Sequence, residues 1–175
     1  MEKAPQMPED VRWHFIGHLQ SNKVSALLKG VPSLAMLETV DSEKLARKLD
    51  GAVETLGRPP LGVMIQVNTS GEESKAGVEP GEATVALSRV VAGCPHLVLK
   101  GLMTIGMPDY TSRPENFACL QACRQEVSAA LGIPASDLEL SMGMSGDFEA
   151  AIEMGSTNVR VGSTIFGARS YAANA

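Results

Sequence analysis

The fold of this chain is decided by residues 140–167, which read LSMGMSGDFEAAIEMGSTNVRVGSTIFG. The pattern predicts a strand that ends in a small-residue turn, then a helical run from Asp147 to Met154, then a second, β-branched strand. Ser145 is placed to cap the amino terminus of that helix, and Gly155 is placed to end it. The stretch is therefore typical of a strand–helix–strand unit with two parallel strands.

Both predicted strands lead into turns of small, hydroxyl-bearing residues. The first turn contains Ser145, and the second contains Gly162, Ser163 and Thr164. Such turns at the carboxyl ends of adjacent parallel strands bind phosphate through backbone N–H groups and hydroxyls. Arg160 adds a positive charge two residues before Gly162. The sequence thus indicates a phosphate site, although an ordinary strand–helix–strand unit with tight turns has the same pattern.

Composition excludes several classes of function. The chain has 175 residues with 15 basic and 20 acidic side chains, so its net charge is −5, which argues against a nucleic-acid-binding surface. A hydrophobic content of 44% supports a sizeable core. No apolar run approaches the roughly 20 residues of a membrane-spanning helix. We therefore expect neither nucleic acid nor a membrane as a partner.

The amino terminus and the cysteines bear on the cellular compartment. Residues 1–10, MEKAPQMPED, are acidic and contain proline, unlike a signal or transit peptide. The three cysteines are an odd number, and Cys119 and Cys123 lack a second pair that would complete a zinc site. We therefore expect a cytoplasmic protein with reduced thiols and no metal, and the targeting of a longer precursor to an organelle stays open.

Predicted strands and helices alternate without a low-complexity segment or a linker, so we predict a single domain over residues 1–175. The helix after the second strand is expected to run toward Leu56 and to be interrupted or frayed at Gly51. Two architectures fit this βα pattern: an open doubly wound sheet, or a (β/α)8 barrel that lacks two units, since a complete barrel needs about 250 residues. The absence of a GxGxxG motif disfavours a dinucleotide-binding sheet. The six predicted strands cover residues 13–17, 36–40, 63–68, 98–105, 138–142 and 158–161.

Five motifs in a fixed order carry a family resemblance. They are WHFIGHLQSNK (13–23), VNTSGEESKAG (67–77), GLMTIG (101–106), LSMGMSGDFEAAI (140–152) and GSTNVRVGSTIFGAR (155–169). Over residues 13–169 the chain resembles the pyridoxal-phosphate homeostasis proteins, whose fold is a TIM-type (β/α) barrel of the alanine racemase N-terminal-domain type. The resemblance implies an α/β barrel with about six of its eight βα units, incomplete at the amino terminus, because the family's first two units would lie upstream of Trp13.

The resemblance also implies a cofactor and the residues that bind it. Members of the family carry and buffer pyridoxal 5′-phosphate, with no established turnover, so we expect a role in cofactor homeostasis, no enzymatic activity and no catalytic residues. Ser145 and the turn of Gly162, Ser163 and Thr164 would bind the phosphate. Arg160 would face the pyridine nitrogen, where a cation weakens the ring as an electron sink. Pyridoxal-phosphate-dependent apoenzymes are the expected partners, and a full barrel would be a monomer.

The chain departs from the family at the lysine that holds the cofactor as a Schiff base. In the family this lysine lies upstream of the motif that starts here at Trp13, so it is absent from this chain. We therefore expect binding that is non-covalent at best, and we interpret Lys23 and Lys75 as solvent-exposed charges. None of the seven lysines stands in an apolar strand followed by small polar residues: Lys3, Lys23, Lys29, Lys44, Lys48, Lys75 and Lys100.

Two alternative functions stay open. A racemase-like enzyme would need that lysine and a second acid/base residue, usually a tyrosine from a partner domain, whereas the chain has only Tyr110 and Tyr171. The other alternative is an interaction protein that has lost cofactor binding. Three explanations of the missing units also compete: truncation, which we favour, a deliberate fragment, or pairing with another copy.

Other candidate residues have weaker patterns. Met64 and Met103 lie on central strands, where core packing is favoured over contact with a cofactor ring. His14 and His18 are four residues apart on a strand, a spacing that gives no helical metal site, so core or rim packing is expected for both. The charged loop at residues 72–75 is typical of a solvated loop, with a lid over the site as the alternative.

Overall fold

The computed structural model describes residues 3–71, 76–106 and 114–167 of the chain. The six predicted strands are confirmed, with ends that differ from the prediction by at most two residues. The strands are β1 (Trp13–Phe15), β2 (Leu34–Val40), β3 (Leu61–Gln66), β4 (Leu97–Met103), β5 (Glu139–Met144) and β6 (Asn158–Arg160). The α-helices are α1 (Val24–Gly30), α2 (Glu43–Thr55), α3 (Glu82–Ala92), α4 (Pro114–Leu131), α5 (Phe148–Glu153) and α6 (Ser163–Phe166). Short 3-10 helices lie at Ala4–Gln6, Ser21–Lys23 and Ala135–Asp137.

The six strands run parallel in one sheet, in the order β1-β2-β3-β4-β5-β6. This sequential order is that of a barrel, because a doubly wound sheet reverses its strand order at a switch point. The sheet is also strongly curled, since Glu38 on β2 lies 2.5 Å from the Ser141 hydroxyl on β5. In a flat sheet, three strand spacings of about 4.8 Å would separate β2 from β5. The chain therefore forms six consecutive βα units of a TIM-type barrel, and the doubly wound alternative is wrong.

Apolar side chains pack on both faces of the curled sheet. The outer face packs against the helices through residues such as Leu37 and Val63, which have no exposed surface. On the inner face, Met36, Met64 and Met103 form a second, smaller buried cluster, so Met64 and Met103 pack in the core as predicted. Burial on both faces explains why the middle strands read as nearly continuous apolar runs.

Helix α2 shows how local sequence sets the limits of an element. The Ser42 hydroxyl caps its amino terminus by accepting a hydrogen bond from the backbone N–H of Leu45. Leu45, Leu49 and Val53 recur every four residues and form its buried face. The helix runs without a break through Gly51 to Thr55, so the predicted interruption or fraying at Gly51 is wrong. Packing of the apolar face outweighs the roughly 1 kcal/mol by which glycine disfavours a helix interior.

Strand β4 approaches β5 closely at Gly101. A Cβ atom on this glycine would lie 1.9 Å from the carbonyl oxygen of Glu139, a distance at which no side chain fits. Glycine therefore permits the register in which Gly101 lies opposite Glu139. Farther along the same pair, the backbone N–H of Thr104 donates to the carbonyl oxygen of Ser141 at 3.1 Å. The close approach of β4 and β5 therefore sets the relative positions of Thr104 and Ser141, which belong to the site described below.

The sheet is open in the part of the chain that the structure describes. There β1 and β6 are its two edges, and neither pairs with the other. Two large apolar side chains of α6, next to β6, are exposed: Ile165 at 66% and Phe166 at 84%. The described residues therefore form a curled arc of six strands that is not closed into a barrel.

Candidate functional site

The two turns predicted to bind phosphate lie side by side at the carboxyl ends of β5 and β6. The hydroxyl oxygen of Ser145 accepts hydrogen bonds from the backbone N–H groups of Gly162 and Thr164, at 3.0 and 3.4 Å. The Thr164 hydroxyl donates to the Ser145 carbonyl oxygen at 3.5 Å. The structure therefore brings together three of the predicted site residues, although 17 to 19 positions separate them in the sequence.

Ser145 does not cap helix α5, contrary to the prediction. The N-cap residue is Asp147, and its carboxylate accepts a hydrogen bond from the backbone N–H of Met144 at 2.6 Å. This bond closes the turn after β5, and the Ser145 hydroxyl faces the second turn instead of the helix. The other end of α5 is as predicted, because Gly155, with a φ of +85°, has the left-handed conformation that ends helices.

The groups at these turns have the chemistry of a phosphate site. Gly162, Ser163 and Thr164 are exposed and Ser145 is half-buried, so the four residues lie at the surface, where the N–H groups of Gly162 and Thr164 already donate to the Ser145 hydroxyl oxygen. Open space adjoins the second turn, since no atom lies within 4 Å of where a Cβ on Gly162 would be. Hydroxyls and backbone N–H groups are the donors that phosphate oxygens accept. These donors agree with the prediction that the four residues bind phosphate, and that role stays a prediction.

Arg160, on β6, directs its guanidinium group into the interior of the arc. Its Nη1 donates to the Ser141 hydroxyl oxygen at 2.8 Å, and its Nη2 donates to the Thr104 carbonyl oxygen at 2.7 Å. Burial lowers the pKa of Arg160, while the negative charges of Glu38 and Asp147 act in the opposite direction. The group stays charged because arginine titrates far above neutral pH. A cation is therefore fixed two residues before the predicted phosphate turn.

The carboxylate of Glu38, on β2, is buried and lies next to this cation. The sequence motifs do not predict it as part of the site. The Glu38 side chain is 1% exposed. It accepts three hydrogen bonds: from His14 Nδ1 at 2.7 Å, from Asn158 Nδ2 at 3.3 Å and from the Ser141 hydroxyl at 2.5 Å. Ser141 thus connects Glu38 to Arg160, since it donates to the first and accepts from the second. We refer to these five residues, Arg160, Ser141, Glu38, His14 and Asn158, as the interior polar network.

One signal in the sequence points to Glu38. Met36 and Glu38 are two residues apart on β2 and so lie on the same face of the strand. A carboxylate in a strand that is buried almost throughout needs partners, because buried charges are paired. His14, for which core or rim packing is predicted, is 37% exposed, and its ring hydrogen-bonds this buried acid.

Several other candidates do not take part in the interior polar network. His18 is 66% exposed and lies 3.5 Å from the Asp41 carboxylate, so of the core or rim packing predicted for it, the core alternative is wrong. Lys75, the rest of the loop at residues 72–75 and both tyrosines lie outside the described residues. The six lysines that the structure describes are all exposed, which confirms the prediction for Lys23: Lys3, Lys23, Lys29, Lys44, Lys48 and Lys100.

The described residues contain neither a metal-binding cluster nor a membrane-spanning helix. Within the described ranges, no group of three or more His, Cys, Asp or Glu side chains is arranged to hold a metal ion. No helix of these ranges is long and apolar enough to cross a membrane.

The three cysteines are free thiols. The pKa of Cys119 is raised to about 11, mainly by burial and also by the neighbouring Cys123. The Cys119 thiol is therefore protonated at neutral pH.

The chain is similar to proteins of one family over most of its length. The family model for the N-terminal domain of alanine racemase matches residues 10–170. The pyridoxal phosphate homeostasis protein of Homo sapiens is 52% identical over 166 residues, which cover 93% of this chain and 60% of that protein. The protein of the same name from Schizosaccharomyces pombe is 47% identical over 172 residues, which cover 97% of this chain and 70% of that protein. The chain thus spans 60 to 70% of the length of these two relatives.

A solved structure extends the similarity to three dimensions. PipY of Synechococcus elongatus, with pyridoxal phosphate bound, matches with a TM-score of 0.70 at 31% identity, over 95% of this chain and 74% of that one. The arc of six parallel strands is therefore part of an alanine-racemase-like barrel. Because the family model covers most of the sequence and the relatives are 47 to 52% identical, the chain belongs to the alanine racemase N-terminal domain family and, within it, to the pyridoxal phosphate homeostasis proteins.

Proposed function

We propose that this chain binds pyridoxal 5′-phosphate without a covalent bond and acts as a carrier and buffer of that cofactor. The observation that carries the proposal is the Ser145 hydroxyl, at which the two turns meet close to Arg160. The relatives support it, since they are named for homeostasis of this cofactor and the PipY structure contains it. Cofactor-requiring apoenzymes as recipients and the cytoplasm as location form part of the proposal.

The residues present fit two parts of the cofactor. The hydroxyls of Ser145, Ser163 and Thr164 would hold the phosphate at the turn that starts with Gly162, and the N–H groups of Gly162 and Thr164 orient the Ser145 hydroxyl by donating to its oxygen. Arg160 would lie at the nitrogen of the pyridine ring. When bound, the cofactor supplies an aldehyde and an electron-withdrawing ring, and a cation beside the nitrogen keeps that nitrogen unprotonated and the ring a weak electron sink. These residues therefore favour holding the cofactor over carbanion chemistry.

The proposal includes no turnover. A racemase-like enzyme needs a lysine near the cofactor and an acid/base group on the opposite face of the ring. The six lysines that the structure describes are exposed, and both charged side chains of the interior polar network already have hydrogen-bond partners. Detectable racemisation of alanine by the cofactor-loaded chain would contradict this part of the proposal.

Titration of the chain with pyridoxal phosphate, followed by equilibrium dialysis, tests the function. We expect saturable binding that Ser145→Ala weakens about tenfold, because the variant loses one hydroxyl at the phosphate. Ser25→Ala, on an exposed position of α1, is the matched control and should bind like the parent chain. If inorganic sulfate binds as tightly as the cofactor, the site is a general anion site and the proposal fails.

The same samples show whether the binding is covalent. After reduction with borohydride, peptide mapping by mass spectrometry should find no lysine labelled in stoichiometric amount, because no described lysine is buried near the site. One lysine labelled to completion would overturn non-covalent binding and identify a covalent anchor in this chain.

A further inference from the structure

We propose that Glu38 is a positioning residue for Arg160: it acts through Ser141 to hold the guanidinium where the pyridine ring binds, and so controls affinity for the ring without affecting affinity for phosphate. The ligand part of this inference rests on the proposed function. The positioning part concerns contacts within the protein itself and can be tested without any ligand.

The chemistry of its two partners fixes the direction of the hydrogen bonds that Ser141 makes. A guanidinium has only donors and an ionised carboxylate has only acceptors, so the single Ser141 proton has one possible direction. Ser141 accepts from Arg160 Nη1 at 2.8 Å and donates to Glu38 Oε2 at 2.5 Å. Ser141 has no exposed surface, and water therefore cannot replace either partner. Glu38→Gln replaces one carboxylate oxygen by an NH2 group. Two donors, His14 and Asn158, face Oε1 and retain the amide oxygen there, so the NH2 group faces Ser141 and cannot accept its proton.

The other contacts of Glu38 fix the carboxylate itself. Its second oxygen, Oε1, accepts from His14 on β1 and from Asn158 on β6. With Ser141 on β5, donors from three strands thus hold one buried carboxylate. The curled sheet therefore sets the position of the Glu38 carboxylate. Arg160 has one further anchor, the Thr104 carbonyl oxygen on β4, at 2.7 Å. The guanidinium is therefore held between a backbone acceptor and the hydroxyl that Glu38 orients.

The phosphate turns are connected differently. In the hydrogen bonds described for this region, the Ser145 hydroxyl has Gly162 and Thr164 as partners, and neither partner belongs to the interior polar network. A change at Glu38 should therefore alter the position of the cation and leave the phosphate donors in place. This separation is what distinguishes a positioning role from a general loss of structure.

Binding measurements with two ligands test the ligand part. Glu38→Gln is expected to weaken pyridoxal phosphate about tenfold, the effect of one charge-assisted hydrogen bond, and to leave the affinity for inorganic phosphate unchanged. Arg160→Ala should have a similar effect, and the double variant should be no weaker than Arg160→Ala alone. Glu43→Gln, which changes an exposed carboxylate in the same way, is the control. Equal weakening of both ligands, or additive effects in the double variant, would overturn the inference.

Ligand-free nuclear magnetic resonance of the arginine side chains tests the positioning part. In the parent chain, the two anchored nitrogens of Arg160 should give separate signals, because rotation of the guanidinium is slow. In Glu38→Gln, and in Ser141→Ala, which keeps the Glu38 charge, these signals should merge. Ser141→Ala keeps the test valid if Glu38→Gln does not fold. Unchanged Arg160 signals in a folded variant overturn the positioning role, whereas a parent chain that binds no cofactor overturns the proposed function.

Discussion

Two serines four residues apart, Ser141 and Ser145, show how burial decides the role of one residue type. Ser141 has no exposed surface and connects a carboxylate to a guanidinium. Ser145 is half-buried and accepts from two backbone N–H groups at the rim of the site. A hydroxyl both donates and accepts, so it suits either position. Their surroundings, and not their chemistry, make the first an internal connector and the second a candidate ligand-binding group.

Cys119 allows a prediction from its pKa. Because burial and Cys123 raise this pKa to about 11, two units above the ordinary value of 9.0, the thiolate fraction near pH 8 should fall about 100-fold. We expect alkylation of Cys119 by iodoacetamide to be slowed by that factor relative to the same cysteine in denaturant. Mass spectrometry of quenched samples measures both rates. Equal rates in the folded and unfolded chain would contradict the burial described here.

The candidate site could be predicted from the sequence in part. The meeting of Ser145 with Gly162 and Thr164 was predictable, because turns that follow adjacent parallel strands lie at one edge of a sheet. The interior polar network was not, because Glu38 contacts Ser141 and Asn158 at separations of 103 and 120 residues. Those contacts lie in the interior of the curled sheet. Neither the hydrophobic periodicity nor the spacing of motifs predicts which inward-facing side chains are in contact there.

At the scale of the element, two glycines have opposite meanings. Gly51 lies inside α2, and outside the helix's own backbone and its chain neighbours no atom lies within 4 Å of where its Cβ would be, whereas a Cβ on Gly101 would collide with the backbone of β5. The predicted interruption or fraying of α2 at Gly51 rests on the intrinsic preference of glycine alone. The requirement for glycine at position 101 comes from a neighbouring strand, at Glu139, 38 positions away, so the local sequence does not indicate it.

Alanine at these two positions should therefore change stability in opposite directions. Gly51→Ala is expected to raise the free energy of unfolding by about 0.5–1 kcal/mol, because alanine loses less conformational entropy in a helix. Gly101→Ala is expected to lower it by roughly 3 kcal/mol, because strands β4 and β5 must separate to admit the methyl group. Urea denaturation followed by circular dichroism measures both. A neutral Gly101→Ala variant would show that the two strands are not in close contact.

At the scale of the whole molecule, the open sheet is the main feature. The alternation of strands and helices predicted its parallel strands, and their sequential order settles the choice of a barrel over a doubly wound sheet. The edges β1 and β6 carry unpaired backbone groups in the described part of the chain. Exposed edges of parallel sheets favour association with other chains, and the large apolar side chains of α6 add to this tendency.

Self-association of the isolated chain should therefore depend on Phe166, which is 84% exposed. We expect association that increases with concentration, and we expect Phe166→Asp to weaken it about tenfold or more, because burial of a phenylalanine contributes about 1.5–3 kcal/mol. Phe166→Leu keeps an apolar side chain and is the matched control. Light scattering after gel filtration gives the masses. A Phe166→Asp variant that associates like the parent would exclude this surface.

The position of Glu38 also has a consequence for synthesis on the ribosome. Of its three hydrogen-bond donors, only His14 precedes it in the chain, and Ser141 and Asn158 are translated 103 and 120 residues later. A nascent chain that has reached only β4 therefore carries a carboxylate on its inner face that must remain hydrated, because a buried charge without partners is costly. We expect the first four strands to stay loosely assembled until β5 and β6 emerge. Arrest of translation before Ser141 should thus leave a chain that proteases cut readily and chaperones retain.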